Sequence, residues 1–215
     1  MAYEVVSDLI KAFREDEKDD VAPYFWGDDQ LVRFANGALT AFAERTLSVV
    51  DDGVEVSFSA GEDVLPYPEY IIDVINAQLV IGEKDWPLDV AAPADVRVRV
   101  NAFAGRPATL IANNATGSMR LVPKPKEAGS VRLQVIRRPV KELSKDSKLV
   151  DLNRAHREYL LLFIKHRAYN VHDAEVFDPV KSAGYLNEFN YECQRIYEAE
   201  LLRRSGARTI KPARW

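Results

Sequence analysis

Residues 105–139, GRPATLIANNATGSMRLVPKPKEAGSVRLQVIRRP, constrain the fold more than any other part of this chain. Three short β-like runs are separated there by two turn signals. Residues 109–111 run into an Asn/Gly-containing turn at 113–117, 119–122 stop at Pro123-Lys124-Pro125, and 131–136 follow Ala128-Gly129. Leu121, Val131, Leu133 and Val135 alternate with Arg120, Arg132 and Gln134, the two-residue period of an antiparallel strand with one buried face. Asn and Gly tolerate positive φ in the connections, and proline ends a ladder because it has no N–H to donate. Helical periodicities lie on both sides of this section, so the pattern predicts an α+β chain that passes from helices into a sheet and back into helices.

On the N-terminal side, Val5, Val6, Leu9, Ile10 and Phe13 predict an amphipathic helix over about residues 3–16. Pro23-Tyr24-Phe25-Trp26-Gly27 precedes a second helix. Its stripe is Leu31, Phe34/Ala35, Ala38/Leu39, Phe42 and Thr46/Leu47, with Asp28 and Asp29 suited to cap its first turn and to face the positive end of its dipole. Tyr24, Phe25 and Trp26 are expected to plug and anchor the loop, and Gly37 to mark a close helix crossing. Asp52-Gly53 predicts a hairpin turn between 47–50 and 54–58. Residues 70–75 and 78–81 read as partner strands and 86–90 as a short edge, while 93–100 admit either a strand or a short helix.

On the C-terminal side, 141–148 form a polar connector. Leu152, Ala155, Tyr159, Leu162, Phe163 and Tyr169 predict one helix face, with Leu160, Leu161 and Ile164 apolar elsewhere on the same helix. Such a helix is buried on more than one side. Asp178-Pro179 is a cap followed by proline at the first helical position. It opens a helix with Ala183, Leu186, Phe189, Cys193, Ile196 and Tyr197 on one face, closed by Gly206.

Charge is distributed unevenly. Residues 1–100 hold 8 Lys and Arg against 21 Asp and Glu, a net of −13, and residues 101–215 hold 21 against 12, a net of +9. Opposed halves suit head-to-tail contact between copies, or an acidic surface kept away from polyanions, or simply two solvated faces. Residues 205–215, SGARTIKPARW, carry Arg208, Lys211 and Arg214 with no acid, and include Trp215. Basic clusters with aromatics can track phosphate backbones, but a pI near 5.5 argues against general affinity for DNA. Cys193 is the single cysteine, which excludes an intrachain disulfide, and its place on an apolar stripe predicts burial. The longest unbroken apolar run, 159–164, is too short to cross a bilayer, and no signal-peptide layout is expected.

Catalytic chemistry finds no support in the motifs. His156, His166 and His172 lack zinc-ligand spacing, and neither phosphate-binding glycine loops nor a G-x-S-x-G elbow occurs. The acid pairs 19/20, 28/29 and 51/52 have simpler roles as loop, cap and turn.

Four segments, taken in order, resemble the head-to-tail adaptor proteins of tailed bacteriophages. PYFWGDDQLVRFANGALTAFAER (23–45) is similar to that family's P-aromatic-W-x-D second helix with its downstream asparagine. GRPATLIA (105–112) is similar to its G-x-P strand entry, and MRLVPKPKEAGSVRLQVIRRP (119–139) to its strand–P-x-P–G–strand hairpin. HREYLLLFIKHRAYNVHDAE (156–175), with the helix containing YLNEFNYECQRI (185–196), is similar to its closing helix pair. Gly37 and Ala38 depart from the polar residues usual after the asparagine.

The resemblance implies a helical bundle of N-terminal (1–48) and C-terminal (140–204) helices, a β-rich, hairpin or sandwich-like insertion (49–139), and a basic docking tail (205–215). It implies a virion protein made in the host cytoplasm, assembled as a ring of about twelve copies around an axial DNA channel. Its partners would be the portal protein above and a tail, nozzle or terminator protein below, with no membrane, cofactor, metal or turnover. Portal docking maps onto Arg203, Arg204, Arg208, Lys211, Arg214 and Trp215. The rival expectations are another tail-neck component, acting through the β-rich section, and an accessory to a cell-wall hydrolase.

Overall fold

The computed structural model describes residues 3–95, 103–173 and 175–205, which divide into two compact units. One is helical and joins Met1–Val49 to Pro139–Trp215; the other, Val50–Arg138, is β-rich. The chain is therefore α+β, with N- and C-terminal helices flanking the strands.

In the helical unit, α1 (Val6–Glu17) and α2 (Asp28–Thr46) precede the strands in sequence, and α3 (Tyr159–Tyr169) and α4 (Pro179–Arg204) follow them. Asp8 reaches back from the first turn of α1 to accept the Glu4 and Val5 N–H groups at 2.8 and 3.1 Å, satisfying donors that the helix itself leaves open. Leu9, Phe13, Leu31, Phe42, Leu160, Ile164, Phe189 and Cys193 form the centre of one core. Burial pushes the Cys193 thiol up to about 12, which keeps it protonated.

The expected face of α3 is corrected. Leu160, Leu161, Ile164, Ala168 and Tyr169 are the buried residues, while Leu162 and Phe163 are half-buried, because α3 packs against both α2 and α4. Asp178 caps α4 as expected, its carboxylate accepting the Val180 and Lys181 N–H groups at 3.1 and 3.0 Å. On α4, however, Ser182 is buried and Ala183 exposed. Ser182 Oγ donates to the His166 carbonyl at 3.1 Å and lies 2.9 Å from His166 Nδ1, so this Ser–His pair is a clamp between helices whose hydroxyl proton is already committed. Gly37 faces Phe163, but a Cβ there would sit at an ordinary 3.7 Å. The expected end at Gly206 lies outside the described residues.

The β-rich unit contains β1 (Val50–Phe58), β2 (Val64–Pro66), β3 (Ile71–Ile81), β4 (Lys84–Ala91), β5 (Ala104–Gly105), β6 (Thr109–Ala115), β7 (Ser118–Val122), β8 (Lys124–Pro125) and β9 (Gly129–Arg137). Seven of them form one curled mixed sheet in the order β1-β9-β3-β4-β6-β7-β2, with β4–β6 its parallel pair, and β5 and β8 form a two-stranded ribbon. Val131, Leu133 and Val135 of β9 are fully buried between β1 and β3, as their alternation predicts.

Three expectations are revised here. Asp52-Gly53 is a bulge within β1, since Asp51 accepts the Gly53 N–H at 2.9 Å and pairing with β9 resumes at Val54. The two runs over 70–81 are one strand with two irregularities. Residues 86–90 lie inside the sheet between β3 and β6, with Pro87 opposite Gln78. Of the ambiguous 93–100, Pro93–Asp95 form one 3-10 turn and the rest lies outside the described residues. Gly129 is required at the start of β9. A Cβ there would fall 2.3 Å from the Val80 carbonyl oxygen and 3.0 Å from Phe58.

Candidate docking surface

Among the described residues of the helical unit, the α1–α2 loop exposes Val21, Tyr24 and Phe25, and the end of α4 exposes Leu201 and Leu202. The loop is organised by Arg14, which the apolar stripe of α1 carries into the interior at 8% exposure. Its guanidinium donates to Asp19 Oδ2 and Asp28 Oδ1, both at 2.6 Å, and to the Trp26 carbonyl at 3.0 Å. Asp19, 2% exposed, uses its other carboxylate oxygen to accept the Phe25 N–H at 2.8 Å. Trp26 closes the loop from beneath. It is 4% exposed, donates Nε1–H to the Ala168 carbonyl at 3.2 Å, and meets Phe13 and Tyr169 edge-on at 5.1 and 5.8 Å.

The expected plug of three aromatics is thus a plug of one. Tyr24 is 47% and Phe25 62% exposed, beside Val21 at 76%. The ten residues 18–27 between α1 and α2 cannot bury three rings when their backbone is pulled inward at both ends by Arg14 and Asp19. Tyr24 instead has the Arg14 guanidinium 3.7 Å over its ring, a cation–π contact worth about 1 kcal/mol in such a setting. The expected cap on α2 is also revised. Asp28 makes no capping bond; Lys145 and then Arg14 hydrogen-bond it and hold its carboxyl below the usual carboxylate range.

The connector is pinned by a residue whose role the sequence did not show. Asn36 donates to the Leu143 carbonyl at 2.9 Å and accepts the Leu143 N–H at 2.7 Å, mimicking a backbone partner from the side of α2. A poor helix former in mid-helix was the available signal. At the loop end of α4, Lys165 is paired with Asp16 and Glu17 at 2.8 and 3.2 Å, and Tyr169 and Tyr185 both donate to Glu17. Those carboxylates hold Lys165 above its ordinary value although burial works against its charge.

At the other end of α4, Arg203 pairs with Glu200 at 2.6 Å on the surface. Arg204 turns inward and donates to the carbonyl of Leu47, the residue that ends α2, so it fastens the C-terminal end of α4 to the bundle. Arg208, Lys211, Arg214 and Trp215 lie outside the described residues. Among the described residues no group of three or more His, Cys, Asp or Glu could hold a metal ion, and no helix is long and apolar enough to cross a membrane.

The model of the SU10 adaptor protein family matches residues 5–213, which takes in both units and most of the basic segment. No curated protein matches the chain.

Proposed function

We propose that this chain, which belongs to the SU10 adaptor protein family, is the structural link between the head and the tail of a phage particle, and that it works by docking. Copies assemble into a ring of about twelve beneath the portal. The ring joins a tail or nozzle protein below and leaves an axial channel for DNA. The family match over 5–213 carries this reading.

Residues 205–215 dock to the portal. Arg203, Arg208, Lys211 and Arg214 offer charge-assisted hydrogen bonds and Trp215 an aromatic anchor, the residue types that dominate interface energetics. Arg204 holds the root of the segment. Part of the acidic surplus of residues 1–100 lines or rims the channel, so that DNA phosphates are repelled and slide without sticking. The protein is made in the host cytoplasm and catalyses no reaction.

Deleting 205–215 tests the docking. The shortened protein is expected to keep its circular dichroism and melting temperature and to stop co-purifying with portal particles. Undiminished portal binding would remove the tail from the mechanism. A channel face dominated by Lys and Arg in the assembled ring would remove the acidic lining.

A further inference from the structure

Tyr24 is covered on one face by the Arg14 guanidinium and Phe25 meets Trp26 edge-on at 6.1 Å, yet both rings stay largely open to solvent on a loop that Arg14 and Asp19 tie down. We infer that this loop is the resting acceptor for the 206–215 segment of a second copy, before the portal takes that segment over. The inference rests on the reading of 205–215 as a docking segment.

The chemistry of the two pieces is complementary. Tyr24 lines a cleft of about 370 Å³ together with Ile10, Arg14, Glu15, Asp20 and Asp28 among others, and Val21 and Phe25, the chain neighbours of Asp20 and Tyr24, are exposed beside those lining residues in the sequence. Residues 15–29 hold seven acids against Lys18. Lys11, Arg14, Lys145 and Lys165 face the same region, but each is paired with a carboxylate, and the balance stays negative by two. Among the described residues Asp20 and Asp29 have no ion-pair partner. The segment supplies Arg208, Lys211 and Arg214 with Ile210 and Trp215, and no acid. A prepaid loop conformation adds to this, because a partner that finds its acceptor already rigid loses less entropy on binding.

Length decides between the chain's own segment and a neighbour's. The loop sits at the N-terminal end of α2, and Arg204 is fixed to Leu47 at its C-terminal end. The 19 residues of α2 span about 28 Å at 1.5 Å each. Fully stretched, a chain advances about 3.3–3.6 Å per residue. From Ser205, Arg208 therefore reaches about 10 Å and Lys211 about 20 Å, both short of the loop. Arg214 and Trp215 arrive only along a straight line. The basic segment as a whole can lie on the loop only if it comes from another copy. A contact between two different patches of identical chains is heterologous, the kind that closes into rings.

The test places a photo-crosslinking benzoylphenylalanine at position 25 of the full chain, with a second probe at the still more exposed position 21. Isotopically heavy and light chains are mixed, irradiated without portal, and digested for mass spectrometry. Heavy–light crosslinks from position 25 or 21 into 206–215 are expected. They should fall several-fold on raising the salt and on introducing Lys211→Glu with Arg214→Glu. Crosslinks confined to one isotope, crosslinks to other segments, or none from either probe overturn the inference. Portal co-purification of the same probe-bearing chains is read separately. Retained portal binding without the crosslinks removes only the resting contact, whereas crosslinks without portal binding remove only the docking role.

Discussion

Replacing Arg14 by methionine is the most direct perturbation of the loop that the structure offers. Methionine keeps an apolar stem of similar length but removes a guanidinium with four hydrogen bonds: two to carboxylates at 2.6 Å and two to the Trp26 and Asp19 carbonyls at 3.0 and 3.3 Å. The dominant cost comes from Asp19, whose side chain is 1% exposed. Breaking a buried pair from one side strands the other charge, at about 3–5 kcal/mol. Asp19 keeps the Phe25 N–H, which tempers the loss without replacing a full charge. Asp28, 39% exposed and held also by Lys145, loses much less.

Against a total stability of about 5–15 kcal/mol, the loss is large. With a urea slope of about 2 kcal/mol/M, the midpoint of the helical unit drops by about 1.5–2.5 M. Urea denaturation followed through the fluorescence of buried Trp26 measures it, and Asp28→Asn in the same assay should cost about 1 kcal/mol or less. Arg14→Met with Asp19→Asn should recover part of the loss, because no buried charge then lacks its partner. A midpoint for Arg14→Met within about 0.5 M of the parent, or a larger cost for Asp28→Asn, would refute the account of Arg14 as the loop's organiser.

Asp28 also makes stability depend on pH. Its folded pKa is depressed, first by Lys145 and then by Arg14, so its contribution is complete above the unfolded value near about 3.9 and disappears as pH falls through the folded one. Melting temperatures recorded from neutral pH downward should differ for parent and Asp28→Asn above the unfolded carboxylate value and converge as pH falls through the depressed folded one. Gly129→Ala should destabilise the β-rich unit by about 1–3 kcal/mol through forced backbone displacement, read as a lower midpoint for Trp86 fluorescence; an unchanged midpoint would contradict the 2.3 Å approach to the Val80 carbonyl. Cys193, 1% exposed with its thiol pushed up to about 12, should resist thiol reagents at pH 8 in the native state and react at once in denaturant.

Elements with one clean period were legible in the sequence. The stripe of α2, the alternation of β9 and the Asp178 cap follow from spacing alone, because each depends on residues close together in the chain. What spacing could not show depended on distant partners. Asp52-Gly53 has the composition of a hairpin turn, but β9 pairs on both sides of it and turns it into a bulge. The apolar positions all round α3 left its inner face undecided until α2 and α4 were placed against it. Tyr24, Phe25 and Trp26 read as one plug since all three are large and apolar. Their separation into one buried and two exposed rings is set by Arg14 and Asp19, charged residues whose burial no local pattern announces.

The separation matters for function because a docking surface and a core anchor make opposite demands. An anchor gains from being surrounded, while a docking ring gains from being exposed without being free to collapse onto its own chain. Trp26 meets the first demand through the Ala168 carbonyl and two aromatic neighbours. Tyr24 and Phe25 meet the second only because the backbone that carries them is tied down by Arg14 and Asp19. Arg204 answers the same problem at the other end of α2, where it fixes the root of a basic segment to the Leu47 carbonyl. The helical unit thus holds an acidic, aromatic face and the root of a basic, aromatic peptide about 28 Å apart on one rigid helix. At that spacing the contact we infer between the two is satisfied between molecules more readily than within one.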